Sequence, residues 1–316
     1  MSKTEKVKEY AKKCGADLVG ISSPERFEGA PLQMDPRQIM PGVKSIIVLG
    51  FRVFRGTFRG IEEGTFFSNY SSMGYGGISN IQMPMVLWNF CKIIEDKGYE
   101  AIPLGHLSPW RAIDENGEIK KGYSRPVAPG KPTPDVMIHH RIAAFCAGLG
   151  EIGYSKVFLT PEFGPRQRLG EVLTDMPLDP DPLYEGPAIC DRCMECVKGC
   201  PAGAISRIKT VKVEVAGKML EWGELDVEKC SIGLRGGRKV KEGEKGDYLQ
   251  GRSDVKPGMH SPFYHKPPNV FIHGEAICGG RGCIRACMIH LEKQGKLKNK
   301  FKDPFRKETP WRVNWD

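Results

Sequence analysis

Residues 190–201 read CDRCMECVKGCP. Cys190, Cys193 and Cys196 recur every third residue, and Cys200 follows with Pro201 behind it. A C-x2-C-x2-C run on a tight loop aims three thiolates at three corners of an iron–sulfur cubane. In two-cluster ferredoxins the fourth cysteine, ahead of proline, ligates the other cluster. The alternative is a zinc site, but zinc favours paired C-x2-C knuckles set apart.

Downstream, Cys230 stands alone and Cys278-x4-Cys283-x3-Cys287 forms a second, looser run. The usual second run is C-x2-C and ends in proline. Here Gly279, Gly280, Arg281 and Gly282 separate the first two cysteines, and Met288 follows Cys287. Glycines let such a loop fold tightly. Exchanged ligation assigns Cys190, Cys193, Cys196 and Cys287 to one [4Fe-4S] cluster. Cys200, Cys230, Cys278 and Cys283 go to the second. A degenerate second site, holding a three-iron cluster or none, stays open.

The chain has 316 residues and 11 cysteines, eight of them after residue 186. An odd count with no leader-like apolar stretch at the N-terminus argues against a disulfide framework and for metal ligation. Cys14, Cys91 and Cys146 lie on apolar-periodic stretches and read as small core residues. No run of 18 apolar residues exists, which excludes a membrane-spanning helix, and the first residues hold no export signal. The expected location is cytoplasmic. The net charge is +9, and residues 291–313 carry eight Lys/Arg against three Asp/Glu. Such a basic tail permits nucleic-acid binding without establishing it.

Working outward, residues 4–14 predict an amphipathic helix with Val7, Tyr10, Ala11 and Cys14 on one face. Leu18–Ile21, Ser45–Leu49, Tyr99–Leu104, Val157–Thr160 and Leu169–Thr174 predict strands. Residues 55–80, rich in Gly, Ser and aromatics, read as a long loop, and residues 106–134 as another. Residues 81–97 predict a helix with Leu87, Phe90, Cys91 and Ile94 buried and Gly98 as its C-cap. Asp135 is placed to cap a helix carrying Ile138, Ile142 and Phe145. Four prolines in 176–188 mark a boundary between units 1–180 and 181–316. The second unit adds a hairpin over 210–222 and a Gly/Lys-rich insertion over 231–262. No G-x-G-x-x-G follows a strand and no Walker loop is present, so neither a dinucleotide site nor a P-loop is supported.

The stretch AAFCAGLGEIGYSKVFLTPEFGPRQRLGEVLTDMPL, residues 143–178, followed by the Cys190 run, resembles the cobalamin-dependent reductive dehalogenases and the epoxyqueuosine reductases. Both share an AGLG-x-x-G helix end, a TPEFG-like turn and a TD-x-PL segment. ADLVGIS and PGVKSIIVLGF add to the resemblance, which covers residues 1–230 and 275–290. It implies an α+β fold: a nitroreductase-like cobalamin-binding domain followed by a ferredoxin-like domain with two [4Fe-4S] clusters. It also implies a base-off corrinoid in the first domain, reduced by the clusters and passing electrons to an organic substrate.

The site motifs are closer to the dehalogenase branch. Asn69-Tyr70-Ser71-Ser72-Met73 resembles that branch's G-Y-S-x-M, so its tyrosine proton donor maps onto Tyr70 and its arginine onto Arg168. His106 stands where that branch has Asn and is a further proton-donor candidate. Ser155, Lys156 and Thr160 are candidates for holding corrin amides or the nucleotide tail. The epoxyqueuosine branch matches less well: Pro134 falls where its catalytic acid belongs and His140 replaces its Glu, although Arg141 is kept. An arginine beside a tyrosine stabilises the tyrosinate left by proton donation. Tyr70 as one more packing aromatic beside Phe66, Phe67 and Tyr75 is the plainer alternative. Expected partners are a small organic substrate and a low-potential ferredoxin- or flavodoxin-type donor, or, on the epoxyqueuosine reading, tRNA at the basic tail. A non-catalytic electron-transfer or corrinoid-reducing protein is the remaining reading.

Overall fold

The computed structural model describes residues 1–63, 68–106, 125–234, 238–239, 259–260, 278, 280 and 282–305. Phe66 and Phe67, most of the 231–262 insertion and the end of the basic tail lie outside the described residues.

Four strands form one antiparallel sheet in the order β1-β2-β6-β3: β1 (Leu18–Ser22), β2 (Ser45–Arg52), β3 (Ala101–Leu104) and β6 (Gln167–Thr174). The SIIVL run is continuous rather than alternating because both faces of β2 are covered. Ile47, Leu49 and Phe51 enter one core with helix α1 (Lys3–Cys14) and helix α4 (Met83–Glu95). Ile46 and Val48 enter the other with helix α5 (His140–Cys146). Two short helices, α2 (Pro36–Ile39) and α3 (Arg59–Glu63), lie between.

The helix 3–14 buries Val7 and Ala11, and Gly98 takes φ +81° beyond α4, as the sequence predicts. Two expectations are corrected, and the proline-rich segment gains a described packing. The described part of 55–80 is wound rather than looped: Tyr70–Gln82 is a π-helix running into α4, and Met83 N–H bonds to Ile78 O. Gly74 allows that winding to pack closely, since a Cβ there would sit 3.0 Å from Tyr70 and 3.1 Å from Thr57. Asp135 does not cap α5. It accepts from Gln33 and Thr133, and His139 caps instead, accepting the Ile142 N–H at 3.4 Å. The segment 176–188 is packed against α1 and β1: Asp181 binds the Ile21 N–H and Lys8, and Asp179 binds Thr4.

Two glycines of AGLG are required by the backbone. Gly148 and Gly150 take φ +72° and +154°, and a Cβ at either would lie 2.0 Å from a carbonyl oxygen, of Pro182 and Leu159 respectively. They let α5 end and the chain return as the short pair β4 (Glu151–Ile152) and β5 (Phe158–Leu159). Beyond the packed segment come the one-turn helix α6 (Glu195–Lys198), the hairpin β7 (Ile205–Val215) and β8 (Lys218–Leu225), helix α7 (Val227–Leu234) and helix α8 (Cys283–Lys293). The hairpin turns on Ala216 and Gly217, both with positive φ, as a two-residue turn between twisted strands demands. Met288 of α8 is buried in the same core as α1 and α4.

Candidate functional site

The Cys190 loop is shaped by left-handed backbone at Arg192 (φ 56°) and Met194 (φ 63°), which folds three thiols onto one side. Backbone N–H groups reach two sulfurs: Tyr154 to Cys190 Sγ at 3.4 Å and Ala204 to Cys200 Sγ at 3.3 Å. Helix α8 packs on α6 so closely that a Cβ on Gly199 would lie 2.9 Å from Ala286.

This packing sorts the eight cysteines into two sets. Cys190, Cys193, Cys196 and Cys287 line one small cavity behind Tyr154. Cys200, Cys230, Cys278 and Cys283 line part of the wall of a much larger one. Cys196 and Cys200 are four residues apart, as are Cys283 and Cys287, and each pair sends one thiol to each set. Burial, with neighbouring cysteines adding to it, pushes Cys196 up to about 11 and Cys283 to about 12. Cys287 is driven well up by burial and by Cys190, Cys196 and Cys193. Thiols gathered in apolar surroundings resist ionising together unless a soft cation joins them. The donor sets therefore fit iron–sulfur clusters.

The larger cavity measures about 460 Å³. The same cavity is lined by Tyr70, Tyr75, His106 and Arg168. Tyr70 is fully buried, its ring tilted against Phe58 at 4.7 Å. Arg168 Nη2 donates to the Tyr70 hydroxyl at 3.0 Å, and its guanidinium lies 4.2 Å over the Tyr75 ring. The Tyr75 hydroxyl and His106 Nε2 are 2.9 Å apart. Burial pushes the Tyr70 hydroxyl up to about 12, while Arg168 pulls it down.

Ser155 lines both cavities. Lys156 and Thr160 line neither. Lys156 Nζ lies 5.3 Å from the Trp222 ring, and Thr160 is buried with its hydroxyl holding the Phe163 N–H and near Gln167. Arg141, a lining residue of the larger cavity, lies within electrostatic reach of Lys156. A polar residue in a glycine-rich turn is used inside the turn. Two wall atoms do lack partners: Ser79 Oγ and Arg168 Nε are buried without a hydrogen bond. The amide-rich rim of a corrinoid offers acceptors of that kind, so this wall fits such a group.

Three features escape the sequence reading. Tyr75 bridges Arg168 and His106, and its position five residues after Tyr70, one π turn, is the signal. His140 Nδ1 pairs with the fully buried Glu171 at 2.6 Å. Arg141 faces the cavity between Arg168 and the second cysteine set.

Known proteins give a consistent picture. A tetrachloroethene reductive dehalogenase of Desulfitobacterium hafniense is 46% identical over 69 residues, 21% of this chain and 12% of the relative. An epoxyqueuosine reductase of Listeria monocytogenes serovar 1/2a is 41% identical over 59 residues, 19% of this chain and 15% of the relative. Over these stretches the chain is similar to the reductive dehalogenases and the epoxyqueuosine reductases. The dehalogenase branch gives the higher identity. Among solved structures, the catabolic reductive dehalogenase NpRdhA, in complex with 3-bromo-4-hydroxybenzoic acid, aligns with a TM-score of 0.50 at 23% identity. That alignment covers 72% of this chain and 28% of NpRdhA, and it speaks to the fold. The sequence matches thus span less than a fifth of these two curated relatives. No family model matches the chain. Among the described residues, no helix is long and apolar enough to cross a membrane.

Proposed function

We propose that the protein is a corrinoid- and iron–sulfur-dependent reductase of a small organic substrate, of the reductive dehalogenase type. Residues 1–180 form its catalytic unit and 181–316 its cluster-bearing unit. One observation carries the reading: the Tyr70–Arg168 pair and the cysteines Cys200, Cys230, Cys278 and Cys283 face the same cavity. When bound, the clusters and a corrinoid supply electrons to an electrophilic carbon of the substrate.

Everything else falls to side chains. Tyr70, raised to about 12, is protonated at any working pH and holds its proton at Oη, ready for the carbon that has lost its substituent. The tyrosinate left behind is buried, and the guanidinium at 3.0 Å stabilises it without losing its own charge. Tyr75 and His106 hold Arg168 in place from its other side. Ser79 and Arg168 Nε are available to corrinoid amides, and Ser155 stands where both cysteine sets meet.

The test is anaerobic purification with iron and cobalt analysis. Turnover of halogenated aromatics and alkenes with a reduced viologen dye follows. Iron, bound corrinoid and halide release support the reading. Zinc in place of iron, or no corrinoid bound at micromolar concentration, removes it.

A further inference from the structure

The larger cavity has two arginines on its wall. Arg141 and Arg168 both line it, together with His106, His139 and His140, and none of its described lining residues is Asp or Glu. Glu171, which does not line the cavity, pairs with His140 through one carboxylate oxygen. Arg168 is committed to the Tyr70 hydroxyl and the Tyr75 ring. Arg141 is different: among the described residues its guanidinium makes no hydrogen bond or ion pair. It sits deep in the protein yet keeps accessible surface, because it opens onto the cavity. Like charges press on it and around it. Arg168 acts on Arg141, and Arg141 acts in turn on Lys156 and His139.

A buried guanidinium without a counter-ion is costly unless a ligand supplies one. Its planar fork suits a carboxylate, which it can hold by two parallel bonds. We infer that Arg141 is the anchor of an anion subsite, and that the substrate is a small organic acid whose carboxylate seats there while its reacting carbon faces Tyr70. The inference rests on the reductase reading for the word substrate, but binding itself does not. The competing assignment is that Arg141 only balances charge on the cysteine set beside it, since Cys283 and Cys230 also act on it.

Binding without turnover separates these. Calorimetry on the full chain, purified anaerobically, compares benzoate with benzamide, its uncharged analogue, in wild type, Arg141→Gln and Arg141→Lys. Benzoate is expected to bind at least tenfold more tightly than benzamide. Arg141→Gln should weaken benzoate ten- to a hundredfold, the effect of losing a charged hydrogen-bonding partner, and leave benzamide unchanged. Arg141→Lys should recover part of the loss, which shows that a folded cavity was read. An EPR-monitored redox titration runs alongside. Equal binding of the two probes by wild type overturns the inference. So does a benzoate preference that survives Arg141→Gln while only a cluster midpoint moves. A protein that prefers benzoate yet carries no corrinoid and turns nothing over keeps the subsite and loses the reductase reading.

Discussion

Arg168 Nη2 lies 3.0 Å from the hydroxyl of Tyr70, two residues 98 positions apart that the sheet and the π-helix bring together inside the protein. The bond joins a permanent charge to a hydroxyl that burial keeps protonated, which suits the pair to the proton-donor role proposed for it.

Tyr70→Phe keeps the ring against Phe58 and removes only the hydroxyl. It is expected to retain iron and corrinoid content and to lower the turnover rate by about 10²–10⁴, the usual cost of removing a general acid. Steady-state halide release checks it. Full activity in Tyr70→Phe would pass the proton to His106 or water.

Both cysteine sets should carry a cluster. The expected content is roughly eight irons per chain, from two four-iron clusters. Cys278→Ser is expected to halve the iron and remove one EPR signal. Cys193→Ser should remove the other signal and destabilise the fold around α6, because ligation and folding are coupled. Iron analysis beside EPR of the reduced protein decides; unchanged iron in Cys278→Ser would remove the second site.

His139 predicts an acid-sensitive fold. Burial lowers it to about 4, with Arg141 and Lys156 adding to the effect. The unfolded chain therefore binds the proton more readily than the folded one. Stability is fully present above the ordinary value of 6.5 and is lost as pH falls through about 4. The loss over that window is roughly 3 kcal/mol. His139→Asn keeps a side-chain acceptor for the Ile142 N–H and should flatten this part of the curve. Urea midpoints between pH 4 and 7 for both proteins measure it.

The contact between α8 and the first unit should depend on one ion pair. Arg55 and Glu292 meet at 3.0 Å with side chains only 11% and 13% exposed, and Arg55 stacks on Phe301. Buried Arg166 lies close by, with Asn299 as its side-chain partner. Glu292→Gln is expected to destabilise by about 1–2 kcal/mol, since it removes the charged partner of a guanidinium that still donates to the Asp303 carbonyl. Arg55→Met with Glu292→Met should recover part of it. Denaturant unfolding of the four proteins of the cycle gives the coupling.

What the sequence disclosed, and what it hid, follows from local physics. The SIIVL strand was readable because burial on both faces leaves a continuous apolar run. The two cysteine sets followed from the exchanged ligation of two-cluster ferredoxins, and in the structure the same two groups of cysteines line separate cavities. The π-helix was hidden: Gly74, Gly76 and Gly77 read as loop, and the i→i+5 winding that they permit has no apolar signature of its own. Asp135 carried a capping residue's chemistry, but Gln33 and Thr133 claim it. Arg141 could be read only as a surviving motif residue, because nothing in its neighbours announces a guanidinium left without a partner.

The four-residue spacing of Cys283 and Cys287 along α8 has a consequence for how the protein conducts. One helical turn separates them by about 6 Å along the axis. On the proposed two-cluster reading, the helix is a strut of fixed length between the two cysteine sets, and Cys196 and Cys200 form a second strut beside it. Loop length ahead of Cys283 then becomes electrically silent. On that same reading, a longer loop between Cys278 and Cys283 leaves the distance from Cys283 to Cys287 unchanged.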